Sequence, residues 1–363
     1  MEVDMKILRK TFMLIMIIIM SIKLTNSFKP NIFAISTLNT NYKRSVVNVG
    51  VLWTNLDNPF VKLIDKGLKD IENKTENKVE FTSYDAKNNI ATQYEQLESL
   101  LGSNINLLIA DLVDTKEDAM KNVIDRVIKK NIPVIFLNVD PSVAAKFSEY
   151  SKNKIVFMAE DFKKPAMLQG KIIVDAWNAN KQNIDKNGDG ILQYIMISGE
   201  RNHAITEERT QYSIEAINDA GIKTKQLALQ FAKWDREVAK EFINSLFLKY
   251  NGNIEAILAN NDNMAIGAVK ALQTYGYNKG DKLKNILVVG FDGLQEAKDL
   301  IDKGFMTGTV TQDPTTVSEA LYTVGMNLVN NVDPLENTNY KLGSAGIVVE
   351  FPHYEYITKA NIL

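Results

Sequence analysis

No cysteine occurs in the 363-residue chain, which removes disulfides, thiolate metal sites, cysteine nucleophiles and lipid attachment through cysteine in one step. Histidine is nearly absent too, with only His203 and His353. Charge is balanced to a formal net −2, so there is no basic face for a phosphate backbone, and nucleic acid is excluded as a partner. There is no nucleophile elbow and no phosphate-binding glycine loop, so the common hydrolase and nucleotide-binding chemistries lack their parts, and no enzyme is expected. Nor is there an apolar run of the roughly 20 residues that a membrane-spanning helix needs.

The remaining composition, 45% apolar and 24% charged, is that of a soluble globular protein long enough for two domains with separate cores. At the N-terminus Lys6, Arg9 and Lys10 precede an apolar run over 12–22 and then polar Lys23. That order is a secretory signal, with small residues before candidate cleavage points after Ser27 and Ser36. Residues 1–36 are therefore expected to be a signal peptide or, if uncleaved, an N-terminal anchor, and the protein to work in the periplasm or outside the cell. Residues 28–45 form a polar lead-in without a period.

From Val46 onward short β-branched runs alternate with helical periods. Strands are expected at 46–53, 79–84, 107–110 and 134–138. Helices are expected where Phe60, Ile64, Leu68 and Ile71, then Ile90, Tyr94, Leu97 and Leu101, recur at helical spacing, and around 123–128. The second half repeats the scheme, with strands at 192–197, 226–229, 254–259, 286–289 and 308–311 and a helix around 262–275. This alternation predicts right-handed βαβ units on parallel sheets. No low-complexity linker separates the halves, so two lobes joined by chain crossings are expected rather than two beads on a string.

Ligands of open α/β sheets lie at the carboxyl ends of strands. Several expected strands end in hydrogen-bonding side chains: Asn58, Asp111, Asn260-Asn261-Asp262, Asp292, and Gln312-Asp313. Amides and carboxylates aimed into a cleft suit a neutral polyhydroxyl ligand, although Asn and Asp at such places also cap the following helix. A second motif is Asp185-Lys186-Asn187-Gly188-Asp189-Gly190-Ile191-Leu192-Gln193. Oxygen-bearing side chains stand at positions 1, 3, 5 and 9, Gly at 6, and Ile191 needs to supply only its carbonyl at 7, which is the rhythm of a calcium loop. Position 12, the usual bidentate Glu, is Met196. A further carboxylate must come from elsewhere.

In order from about Val46 almost to the C-terminus, the chain resembles the periplasmic glucose/galactose-binding proteins, the substrate receptors of ABC sugar transporters. The calcium loop stands where that family carries one, and Ile254-Glu255-Ala256-Ile257-Leu258-Ala259-Asn260-Asn261-Asp262 matches the segment whose Glu completes the metal site. The resemblance thus implies a structural calcium ion held by Asp185, Asn187, Asp189, the Ile191 carbonyl, Gln193 and Glu255. It implies a type I periplasmic-binding-protein fold: two doubly wound α/β lobes with a three-segment hinge near 159–161, 312–313 and 348–351. The N-terminal lobe would comprise 46–160 plus 313–348, and the C-terminal, calcium-binding lobe 161–312 plus 349–363. It also implies that Phe60 and Trp234 sandwich a sugar ring, with Asn58, Asp111, His203, Arg209, Asn261, Asp292 and Gln312 as polar partners.

Four positions depart from the family pattern: Asn58 replaces Asp, Asp111 replaces Asn, Ile205 replaces Asp and Gln312 replaces Asn. The first two exchange a carboxylate and an amide between neighbouring strand ends, and the third removes a hydroxyl partner, worth on the order of 1–3 kcal/mol. The expected ligand is a galactose- or glucose-like monosaccharide, with a pentose, a 6-deoxy sugar or a substituted hexoside equally compatible. The expected partners are the membrane subunits of an ABC transporter, with the protein itself a monomer. A membrane-tethered sensor feeding a histidine kinase or chemoreceptor would use the same ligand chemistry and differ only in the fate of 1–36. A sugar-responsive transcription regulator of the same fold would begin with a helix-turn-helix domain, for which there is little room before Val46.

Overall fold

The computed structural model describes residues 46–358, apart from 77, 148, 150–153, 160–162, 202, 251, 344–345 and 349–350. The leader and the lead-in lie outside the described residues. So do positions 160–161 and 349–350 of the expected hinge.

The first half alternates strand and helix as β1 (Val47–Trp53), α1 (Pro59–Lys74), β2 (Val79–Asp85), α2 (Ile90–Gly102), β3 (Leu107–Asp111), α3 (Glu117–Lys130), β4 (Val134–Leu137), α4 (Pro141–Lys146) and β5 (Ile155–Ala159). The second half runs α5 (Lys163–Ile184), β6 (Ile191–Ser198), α6 (Ala204–Asp219), β7 (Lys223–Phe231), α7 (Arg236–Lys249), β8 (Ala256–Ala259), α8 (Asp262–Thr274), β9 (Leu287–Asp292), α9 (Gln295–Asp302) and β10 (Gly308–Gln312). Then follow α10 (Pro314–Val329), β11 (Lys341–Gly343), β12 (Gly346–Val348) and β13 (His353–Ile357). The expected helices and strands fall on these elements. Glu255, expected within a strand, instead sits just before β8.

Two sheets result. One has the order β11-β12-β5-β4-β3-β1-β2 and the other β13-β10-β9-β8-β6-β7. Taken strand by strand, β2-β1-β3-β4-β5 and β7-β6-β8-β9-β10 follow the same doubly wound order, and every pairing within each set is parallel. Only the short additions, β11 on β12 and β13 on β10, are antiparallel. This is the α/β architecture of a type I periplasmic binding protein.

Each sheet is covered on both faces, which explains why its strands read as unbroken apolar runs. In β3, Leu107 and Ile109 enter one core while Leu108 and Ala110 enter the other. In β6, Ile195 and Ile197 face one way and Leu192, Tyr194 and Met196 the other. The chain passes between the sheets after Ala159, after Gln312 and after Val348. The second passage returns α10 to the first sheet's core, where Val317, Leu321 and Val324 pack with Ile64 and Leu68 of α1.

Helices α7 and α8 approach closely at Gly267, where a Cβ would stand 2.2 Å from the Arg236 carbonyl oxygen. A methyl group there has only backbone to push against. Gly267→Ala is expected to cost about 1–3 kcal/mol, seen as a lower urea midpoint at unchanged m-value. An unaltered midpoint would disprove the close approach.

Candidate ligand cleft and calcium loop

The carboxyl ends of both parallel sheets open on one cavity, about 150 Å³ of it open to water. Its lining includes all nine side chains expected to contact ligand: Asn58, Phe60, Asp111, His203, Arg209, Trp234, Asn261, Asp292 and Gln312. Ile205 lines it as well.

Local backbone geometry aims these groups. Asn58 and Asn261 each cap a helix, accepting from the Phe60 and Met264 amides, and still border the cavity. Asn138, Trp234 and Asp292 have positive φ, of 57°, 63° and 109°. Such conformations concentrate at functional sites. The Trp234 ring lies directly on Gly199, where a Cβ would come within 2.1 Å of it. His203 meets that ring edge-on, at 5.9 Å between centroids.

Arg209 is buried with its guanidinium 3.5 Å over the Phe291 ring, donating to the Asn260 carbonyl at 2.8 Å and reaching Asp292 Oδ1 at 3.5 Å. Burial pushes the Asp292 carboxyl up to about 7, which the Arg209 charge only partly offsets. Asp111 is also buried and raised by desolvation, against hydrogen bonds from Asn138 and Thr54. Glu200 lines the opposite wall and is likewise raised by burial, with Lys233 drawing it down and Asp111 pushing it up.

The strand-end signal selected some residues that serve the fold instead. Asn260 accepts from the Gly199 amide, Asp262 accepts from the Leu294 amide and the Thr309 hydroxyl, and Asp313 caps α10 through the Thr315 amide. None of the three lines the cavity. Conversely Thr54, Asn138 and Glu200 line it unexpected. All three follow strand ends, so the same signal could have found them.

At the loop over 185–193, Glu255 ties the two flanks together, its Oε1 accepting from the Lys186 amide and its Oε2 from the Gln193 amide, both at 2.8 Å. The Asn187 and Gln193 amide nitrogens both donate to Asp189. Amide oxygen and nitrogen can exchange by a flip, so these side chains can turn oxygens inward. Asp185 Oδ1 is buried with no hydrogen-bond partner, while its Oδ2 accepts from the Gly190 amide. An all-oxygen donor set with one unmatched buried carboxylate oxygen fits a hard cation. Among the described residues, no three His, Cys, Asp or Glu side chains converge as a metal cluster, so any site must rest on the amide and carbonyl oxygens too.

Two parallel-stranded α/β sheets with a polar, aromatic-flanked cleft at their carboxyl ends define a ligand-binding class of protein. The chain belongs to the periplasmic binding protein family, whose domain model matches residues 49–332. It is 32% identical over 315 residues to the D-galactose/methyl-galactoside binding periplasmic protein of Haemophilus influenzae, covering 86% of this chain and 90% of that one. It is 28% identical over 267 residues to the ribose import binding protein of Escherichia coli, covering 73% and 79%. Among solved structures, the fold is shared with an ABC transporter solute binding protein of Actinobacillus succinogenes with bound D-allose. That match has a TM-score of 0.69 at 21% identity and covers 87% of this chain and 99% of that one. A Bacillus halodurans solute binding protein with bound myo-inositol matches at TM-score 0.67 and 22% identity, covering 87% and 96%.

Burial and the nearby Arg209 charge hold His203 down to about 4, and the same causes lower His353 to about 4. Depressed imidazoles stabilise the fold above the ordinary value of 6.5. As pH falls from there towards 4, unfolded chains bind protons that folded ones do not, and that stability is lost. With two histidines in the chain, NMR titration is simple to read. Neither imidazole is expected to titrate between pH 8 and pH 5.5, and a midpoint near the ordinary value would refute the burial assignment.

Proposed function

We propose that the protein is the extracytoplasmic sugar-binding component of an ABC transporter, taking a galactose- or glucose-like monosaccharide between its lobes. The observation that carries this reading is the cleft itself. Amides, carboxylates and one guanidinium from the carboxyl ends of two sheets meet there with Phe60 and Trp234. Hydroxyls both donate and accept, and the apolar faces of a sugar ring pack on aromatic rings, so the two kinds of lining are those a sugar needs. The galactoside- and ribose-binding relatives add support. Ligand held by both lobes favours the closed arrangement through hinge motion at the crossings, and a closed form differs in shape from an open one for a membrane partner to read.

A calcium ion in the loop after α5 is part of the proposal. Asp185, Asn187, Asp189, the Ile191 carbonyl, Gln193 and Glu255 would hold it. Its role would be structural, neutralising the loop's carboxylates and fastening the loop to the approach to β8. The orphaned Asp185 oxygen supports this.

A thermal-shift panel of neutral monosaccharides tests the sugar reading, since stabilisation grows as RT ln(1 + [L]/Kd). At least one sugar is expected to raise the melting temperature. Trp234→Ala should weaken its binding by about 2 kcal/mol, roughly 30-fold. A flat panel would reject the reading. Chelator is expected to lower the melting temperature of the sugar-free protein and added calcium to restore it, whereas indifference to both would reject the metal.

A further inference from the structure

The cleft is acidic beyond what a neutral sugar needs. Among the described residues, the carboxylates of Asp111, Glu200 and Asp292 line it with the single guanidinium of Arg209. His203 adds no positive charge, being neutral at ordinary pH. The carboxylates are also partnered unequally. Asp292 faces Arg209 at 3.5 Å. Asp111, equally buried, receives neutral donors: the Thr54 hydroxyl on Oδ2 at 2.8 Å, the Thr54 backbone amide, and the Asn138 amide on Oδ1 at 2.9 Å. The wall across from it brings Glu200, a second acid. Lys233 acts on Glu200 but does not line the cavity.

A buried carboxylate without a cation is costly, and neutral donors compensate it only in part. A carboxylate accepts at about four sites, more than the three neutral donors at Asp111 fill. A sugar hydroxyl could fill such a site but would bring no charge. An ammonium group brings three donors and a full positive charge, and charge-assisted bonds are roughly twice as strong as neutral ones.

Building on the sugar-binding reading, we propose that the preferred ligand is an amino sugar: a monosaccharide with one hydroxyl replaced by a protonated amine, which sits between Asp111 and Glu200 while the ring packs on Phe60 and Trp234. Ligand charge then supplies the counter-ion that the cleft's first-lobe wall lacks. Because the two acids come from different sheets, the ammonium also draws the lobes together.

Isothermal titration calorimetry on the purified protein tests this. The panel comprises neutral hexoses and pentoses, their amino counterparts with the amine at different ring positions, and the N-acetylated forms, which keep the nitrogen but lose the charge. At least one amino sugar is expected to bind tenfold or more tighter than its neutral parent and than its N-acetyl form. Asp111→Asn and Glu200→Gln should each shrink that ratio, with folding checked by circular dichroism. If Asp111→Asn does not fold, Glu200→Gln and the N-acetyl comparison decide alone. Neutral parents binding as tightly as every amine would overturn the inference and leave the sugar reading standing. An amine preference unchanged in the folded variants would also overturn it, because the amine would then sit elsewhere. If no sugar of either kind binds, the sugar reading falls and this inference with it.

Discussion

Burial of both faces of both sheets constrains everything else in this molecule. With Leu107 and Ile109 committed to one core and Leu108 and Ala110 to the other, a central strand such as β3 has little room for polar chemistry before its carboxyl end. Parallel pairing within β1–β5 and within β6–β10 then sends the carboxyl ends of each set to one edge. Two such sheets, joined by three chain passages, bring ten strand ends to a shared cavity. The cleft is thus where the side chains at the strand ends escape apolar packing.

Within that cavity, Arg209 organises the second lobe's wall. Its guanidinium lies on Phe291, binds the Asn260 carbonyl and faces Asp292. Asp262, buried just behind, is raised well above the ordinary carboxylate range by desolvation and by Asp292. The fixed Arg209 cation offsets part of the cost of burying Asp292, while Asp262 is held by the Thr309 hydroxyl and the Leu294 amide. Among the described residues, no cation stands beside Asp111 in the same way. The two walls are therefore electrically unlike although the sheets that carry them are wound alike.

Much of this was legible in the sequence because strand-helix alternation and strand-end polarity are local signals. All nine expected ligand-contacting side chains reach the cavity. What stayed hidden depends on pleat and register. Asn260, Asn261 and Asp262 look interchangeable in sequence, yet only the middle one turns to the cleft while its neighbours hold the Gly199 amide and the Thr309 hydroxyl. Glu255 looks like a strand residue but precedes β8, where both its oxygens are free to clasp the loop. The short strands β11 to β13 carry too few residues to display a period, and their pairing comes from the sheets they join.

Trp234 is seated on the bare backbone of Gly199, with the His203 ring at its edge. Its support on that face comes from backbone and not from the amides and acids that border the cavity. Substitutions such as those at Asn58, Asp111, Ile205 and Gln312 can accumulate without tilting the ring. A receptor built this way separates the ability to hold a sugar from the choice of which sugar, so its lineage can change diet through the polar rim alone.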